Sequence, residues 1–346
     1  MQSCRERRKM RVLLAGCGAT GHVGGFFLKA LQELGHDHRF IELSPPQRFP
    51  IVHKVASRVI GRRPLAYWKI NWEMCKTVKE FSPQVVIISM GNWISSDTLR
   101  EIRAPERCIV NFATDDPFNP VVSRPSTAEN IPLYDLYACT KRAIMEDVRQ
   151  AGCGHVVFLP FGYEPSLHFF EPASVYDSSR YASGVAFVGG ADQDRRPMFR
   201  RLHRAVGGEL ALYGGFWNRD PVLRKYYRGF AVGRAYRLAL CGAKIGLGLV
   251  RRANRDGHSM RTFEIPACGT FMLAERTEEH AELFEEDRDV AYFGSDEELV
   301  DKVRFYLGHE EERVRMARAA YERVVAGCHT YTDRMRAILK LAAEFL

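Results

Sequence analysis

Apolar residues recur along this chain in two rhythms. Short, mostly apolar runs stand at 11–15, 39–43, 85–89, 108–111, 136–139 and 155–159. They are too short for helices and too continuous for strands with one wet face. Between them lie stretches with apolar positions three and four apart, near 22–34, 66–81 and 141–151, the spacing of an amphipathic helix. Such alternation predicts a parallel sheet covered on both faces.

The alternation then starts again. Strand-like runs at 184–188, 210–213, 245–250, 270–273 and 290–293 alternate with helical spacing over 196–206, 295–307 and 310–326. Ser295, with Glu298 three residues on, reads as a helix N-cap. The predicted organisation is a first Rossmann-like domain over 10–165, a linker over 166–182 within the Pro-, Ser- and aromatic-rich stretch 160–183, and a second Rossmann-like domain over 183–328. A last helix within 329–346 is expected to pack back toward the first domain.

Composition narrows the class. Across 346 residues, 46% apolar and 27% charged side chains describe a globular protein. No window holds 18 uninterrupted apolar residues, so no membrane span is predicted. The net charge is +8, and half of it falls within the first eleven residues, where Arg5, Arg7, Arg8, Lys9 and Arg11 face only Glu6. That leader reads as solvated chain, with peripheral contact at the inner face of a membrane as the alternative. Nine cysteines without a C-x-x-C pair fit reduced thiols in a cytoplasmic protein, with no disulfide frame and no metal site.

The first glycine loop, Gly16-Cys17-Gly18-Ala19-Thr20-Gly21, joins a strand to a helix, and Glu42 ends the next strand. This is the context of a dinucleotide site. Tyr137 and Lys141 add the Y-x-x-x-K spacing of short-chain reductases. An NAD(P)-dependent reductase or epimerase is therefore one reading. The other makes Gly18 and Gly21 an acceptor-side loop with His22 at the helix start, either as a general base or as an ordinary helix residue.

The second half holds a polar loop and a short helix over 254–269. Ser259 is expected to cap that helix, and Arg261 in its first turn needs an anion to offset the helix dipole. Arg261 and the helix N-terminus make a candidate diphosphate cradle. Glu264 suits vicinal ribose hydroxyls. Asp256 and His258 lie just before; His258 either polarises a sugar hydroxyl or stabilises the loop.

Over R-x-F-E-I-P-A-C-G at 261–269 the chain resembles the GT-B glycosyltransferases of the CgeB-like (glycosyl transferases group 1) family. The likeness extends to Gly184–Gly190, Asp194-Arg195-Arg196, the stretch 212–217, Glu285, Phe293, 296–299, Arg313, His329-Thr330-Tyr331 and Arg334. Before 184 it rests on Asp115-Asp116-Pro117 and 159–162.

The resemblance implies an α/β GT-B fold, two Rossmann-like parallel-sheet domains facing a central cleft. It implies transfer of a sugar from a nucleotide-diphosphate sugar to a carbohydrate, lipid-linked or protein acceptor, without a metal or other cofactor. Glu264 would hold the ribose, with Gly189, Gly190 and Tyr213 nearby, and Arg195 or Arg196 would take the departing diphosphate. Retaining relatives carry Glu eight residues before the Glu264 position; this chain has Asp256 there. Asp115 and Asp116 are candidates for a base or for an Asx turn before Pro117. Tyr67, Trp68 and Trp72 read as core residues by their helical spacing, with an acceptor or membrane-facing surface as the alternative. No nucleic-acid module is present, so no such partner is expected.

Overall fold

The computed structural model describes residues 9–44, 66–89, 91–172 and 174–346. Of the basic leader, residues 1–8 lie outside the described residues. The chain divides into two compact units: Met1–Pro160 with Ala253–Arg255 and Tyr331–Leu346, and Phe161–Arg252 with Asp256–Thr330.

The first unit holds a six-stranded sheet in the order β2-β1-β3-β4-β5-β6, every neighbouring pair parallel. The strands are β1 (Arg11–Gly16), β2 (Asp37–Glu42), β3 (Val85–Ile88), β4 (Cys108–Ala113), β5 (Leu136–Cys139) and β6 (Val156–Phe158). β3, β4 and β5 are buried at every position. Helices on both faces cover them, which is why their sequences are apolar runs and do not alternate.

Two of this unit's helices pack against each other. Val23–Leu34 follows the glycine loop and ends at Gly35, whose φ of 70° closes the last turn. Against it packs the final helix, Tyr331–Ala342, with Tyr331 stacked on Phe26 at 4.7 Å. Tyr67–Phe81 turns Ile70, Met74 and Val78 inward, each burial stabilising by about 1.5–3 kcal/mol. Trp68 and Trp72 are not core residues: they are 57% and 62% exposed. They sit half a turn away from the aliphatic stripe, and the sheet took the aliphatic side.

The second unit holds a five-stranded parallel sheet, β11-β10-β9-β7-β8. Its strands are β7 (Ser183–Val188), β8 (Leu210–Tyr213), β9 (Ala243–Gly248), β10 (Met272–Glu275) and β11 (Ala291–Phe293). Val185, Phe187, Phe199, Trp217, Ile245, Leu273 and Leu299 belong to one core. Ser295 caps Asp296–Gly308 by accepting from the Glu298 amide.

Candidate functional site

In the second sheet the strand order reverses between β7 and β9. The carboxyl ends of two strands whose neighbours diverge leave a crevice, the usual ligand position in an open α/β sheet. β7 runs into Gly189-Gly190 and β8 into Gly214-Gly215. These glycines let two turns touch. The Gly189 amide donates to the Tyr213 carbonyl at 2.9 Å and the Ala191 amide to the Gly215 carbonyl at 2.9 Å. A Cβ on Gly214, whose φ is +114°, would lie 2.6 Å from the Gly189 carbonyl oxygen.

Arg195 opens the helix Arg195–Val206 and reaches back over this crevice. Its guanidinium donates to the Gly190 carbonyl at 3.2 Å and to the Val250 carbonyl at 3.3 Å. It thereby spans the segments that follow β7 and β9. Arg261 arrives from the other side: its Nε donates to the Val188 carbonyl. Both guanidinium carbons lie over the Phe187 ring, at 5.1 and 5.7 Å. Burial, then repulsion from Arg261, pushes the Arg195 pKa down.

The local balance is cationic. Asp192 pairs with Arg195 at 3.0 Å and with Arg251 at 3.3 Å, while Glu275 pairs with Arg252 at 3.5 Å. Four arginines thus face two carboxylates. The Nε atoms of Arg195 and Arg196 and the hydroxyl of Ser259 are buried without a hydrogen-bond partner. Buried donors of that kind call for an acceptor.

Glu264 stands on the helix Arg261–Ala267 and is 4% exposed. It is not a free acceptor. The Tyr236 hydroxyl donates to its Oε2, and His168 Nε2 lies 3.5 Å from its Oε1. His168 Nδ1 accepts from the Glu164 amide at 3.1 Å, which assigns the ring proton to Nε2, facing the carboxylate. Burial pushes the His168 pKa down and, with the nearby Glu264 charge, the Tyr236 pKa well up. Both are therefore neutral donors that fix the carboxylate's orientation. Half-buried Asp256 donates its amide to the Arg251 carbonyl at 3.3 Å.

Several expected roles do not survive the geometry. His258 is fully buried; its Nε2 accepts from the Phe161 amide at 3.1 Å and its Nδ1 meets Glu279 at 2.5 Å. With both nitrogens engaged it holds the loop in place and has no reach to a sugar hydroxyl. Asp116 is buried in the first unit, its two oxygens bound by Arg255 at 2.6 and 3.1 Å. Its Oδ1 also accepts from the Phe118 amide at 3.0 Å, the Asx turn. That carboxylate is a structural anchor, not a base, and these hydrogen bonds push the Arg255 pKa up.

Half-buried Asp115 accepts from Asn254 at 3.2 Å. Tyr213 is 2% exposed and its hydroxyl is buried without a hydrogen-bond partner, so its ring presents no face to a nucleotide. Ser259 is not the cap of the Glu264 helix. That position belongs to Met260, in helical conformation and with no side-chain bond.

The first glycine loop is occupied by its own chain. The Gly18 amide donates to Glu42 Oε2 at 2.9 Å. A Cβ on Gly18 would meet that oxygen at 2.9 Å and the Phe40 ring at 3.1 Å. Gly21, with φ +85° and nothing within 4 Å, serves the turn. His22 is the exposed N-cap and makes no side-chain cap bond. The reductase reading fails here. Tyr137 is 1% exposed, and burial pushes its phenol well up, the reverse of an activated acid. Lys141 is fully buried and donates to the Thr114 carbonyl at 2.6 Å.

Sequence reasoning missed Tyr236, His168, Asp192 and Arg251. Tyr236 and His168 lie 28 and 96 residues from Glu264, so no spacing joins them. Asp192, three residues before Arg195 and just past the glycine pair, was within reach of a charge count.

Residues 195–340 match a family model described as glycosyl transferase-like. No curated protein matches the chain. Among solved structures, sucrose-phosphate synthase from Thermosynechococcus elongatus is similar with a TM-score of 0.72 at 12% identity, covering 97% of this chain and 99% of that one. HepE of Anabaena, solved with UDP-glucose, gives 0.65 at 12% identity, covering 97% of this chain and 100% of its own. A glycosyltransferase from Rickettsia africae gives 0.64 at 10% identity, covering 98% and 99%. The chain has the GT-B fold of two Rossmann-like parallel-sheet units, and the stretch that carries both crevice arginines is similar in sequence to a glycosyl transferase-like family.

Proposed function

We propose that this chain is a glycosyltransferase that takes its sugar from a nucleoside-diphosphate donor held by the second unit. One observation carries the reading: Arg195 and Arg261 converge at the switch point between β7 and β9, with more positive than negative charge around them. A diphosphate satisfies the buried donors there and cancels the repulsion between the guanidiniums.

The chemistry needs such a place. Glycosyl transfer breaks the bond between the anomeric carbon and the diphosphate while the sugar becomes oxocarbenium-like. Negative charge accumulates on the leaving oxygens. Fixed cations aimed at those oxygens lower the barrier without reorganising. Arg195 and Arg261 take that charge, and Arg196 completes the set. In this reading no metal is required, the transferred group is a hexose-type sugar, and the relationship to the CgeB-like subgroup holds along 261–269. Glu264, oriented by Tyr236 and His168, accepts from the ribose hydroxyls. HepE, which binds UDP-glucose in its own structure, makes a uridine donor the first to try.

Thermal shift tests the reading. UDP or GDP at a hundred times its Kd should stabilise the protein by about 2.7 kcal/mol, with EDTA present or absent. NAD(H) and NADP(H) should leave the midpoint where it is. A shift with the dinucleotides alone would overturn the proposal.

A further inference from the structure

We propose that the outward face of the helix Tyr67–Phe81 docks on an anionic lipid bilayer. The inference starts from the two tryptophans that the core did not take. Trp68 and Trp72 are one turn apart and more than half exposed. Lys69, Lys76 and Lys79 are exposed on the same side. At 100° per residue, Trp68, Lys79, Trp72, Lys76 and Lys69 fall in that order within about a 100° arc. The opposite arc is the aliphatic stripe buried in the first unit.

The rings are held ready. Trp68 sits edge-on to the buried Tyr67 at 5.7 Å, and the Lys76 ammonium lies 5.0 Å from the Trp72 ring centroid. Lys76 and Lys79 do have acidic neighbours, Glu80 at 3.8 Å and Glu101 at 2.7 Å. Both pairs are solvent-exposed, and such pairs are worth little in water, so a lipid phosphate competes for either lysine. Lys69 has no ion-pair partner among the described residues. Within that 100° arc the helix itself carries only basic charges, and Glu80 and Glu73 lie just beyond Lys69.

Tryptophan beside lysine distinguishes the partner. Lysine is depleted from protein–protein interfaces. At the surface of an anionic leaflet the two residues belong together: the indole ring sits at headgroup level and the ammonium meets the phosphates. The contact is peripheral. Among the described residues no helix is long and apolar enough to cross a membrane, and the inner stripe of this one is committed to the core. The proposal is independent of the group transferred by the second unit.

Co-sedimentation of the full chain with vesicles decides it. Binding to 3:1 phosphatidylcholine–phosphatidylglycerol vesicles, weaker binding to pure phosphatidylcholine and a blue-shifted tryptophan emission are expected. The double variant W68A/W72A should lose at least tenfold in partitioning with an unchanged thermal midpoint, because both side chains lie outside the core. Each of K69Q, K76Q and K79Q should cost about fivefold, the factor equivalent to about 1 kcal/mol per basic residue at such a surface. Absence of binding to the anionic vesicles, or equal binding by wild type and W68A/W72A, would overturn the proposal. So would a tryptophan-dependent dimer that ignores vesicles, which would assign the face to a second copy of the chain.

Discussion

The two units each place a glycine turn at the carboxyl end of their first strand, where the strand order reverses. In the first unit the turn is self-contained. Glu42 accepts the Gly18 amide, Phe40 packs against the same glycine, and the Ser89 hydroxyl bonds back to the Ala15 carbonyl at 3.4 Å. In the second unit the turn is bordered by Arg195 and Arg261, and buried donors stand without acceptors. The glycines report only that two backbones come close. The sign of the charge around them says whether the space belongs to the chain or to an anion.

The largest effect should come from the second turn. Replacing Arg195 and Arg261 together by alanine removes two charge-assisted interactions with the proposed diphosphate, each worth about 1.5–3 kcal/mol. UDP affinity, measured by calorimetry, should fall by two orders of magnitude or more. The helix Arg195–Val206 keeps its buried Met198, Phe199 and Leu202, so the fold should persist. Unchanged UDP affinity in a folded double variant would remove the distinction between the turns.

A smaller effect sharpens where the ligand's ribose lies. Tyr236→Phe deletes the hydroxyl that orients Glu264 and leaves a buried carboxylate with one donor fewer. Affinity for UDP should drop about three- to tenfold, within the range of one hydrogen bond to a charged group. Inorganic pyrophosphate, which has no ribose, should bind the variant as it binds the wild type. Equal losses for both would mean that Glu264 acts on the phosphates or only on folding.

The fold was more legible than the site. All eleven strands lie within a residue or two of the runs that predict them; the central ones, such as β3, β4 and β5, are buried on both faces and so must be almost wholly apolar, while the edge strand β2 keeps polar residues on its exposed positions. The short helices Ser96–Ile102, Arg234–Cys241 and Glu278–Leu283 were missed. Arg234–Cys241 is hidden by its arginines: Arg237 is buried, and its guanidinium is bound by Glu171 at 2.5 Å, sixty-six residues earlier. Such pairings leave no local trace. Asp116 reads as a candidate base until Arg255, 139 residues away, is seen to hold it. The tryptophans teach the converse: periodicity announced the helix 67–81, but two stripes of equal spacing compete for the core. Ile70, Met74 and Val78 form the longer one, and it was buried.

The smallest effect belongs to the first turn. Burial tends to raise the Glu42 pKa, but hydrogen bonds from Ser44 and Gly18 outweigh it and hold the carboxyl below its usual range. A carboxylate depressed in the folded state adds stability above its unfolded pKa, near 4.3, and loses it as pH falls through the lower folded value. Glu42 is exposed, so solvent screening limits the contribution to about 1 kcal/mol or less. Glu42→Gln should therefore lower the melting temperature by about one or two degrees at pH 7, and the difference should shrink as pH falls through the lowered folded pKa and the wild type loses the charge. UDP affinity should not move. If it falls, the first turn faces the ligand as well, and the contrast between a turn closed by its own carboxylate and one held open by arginines is wrong.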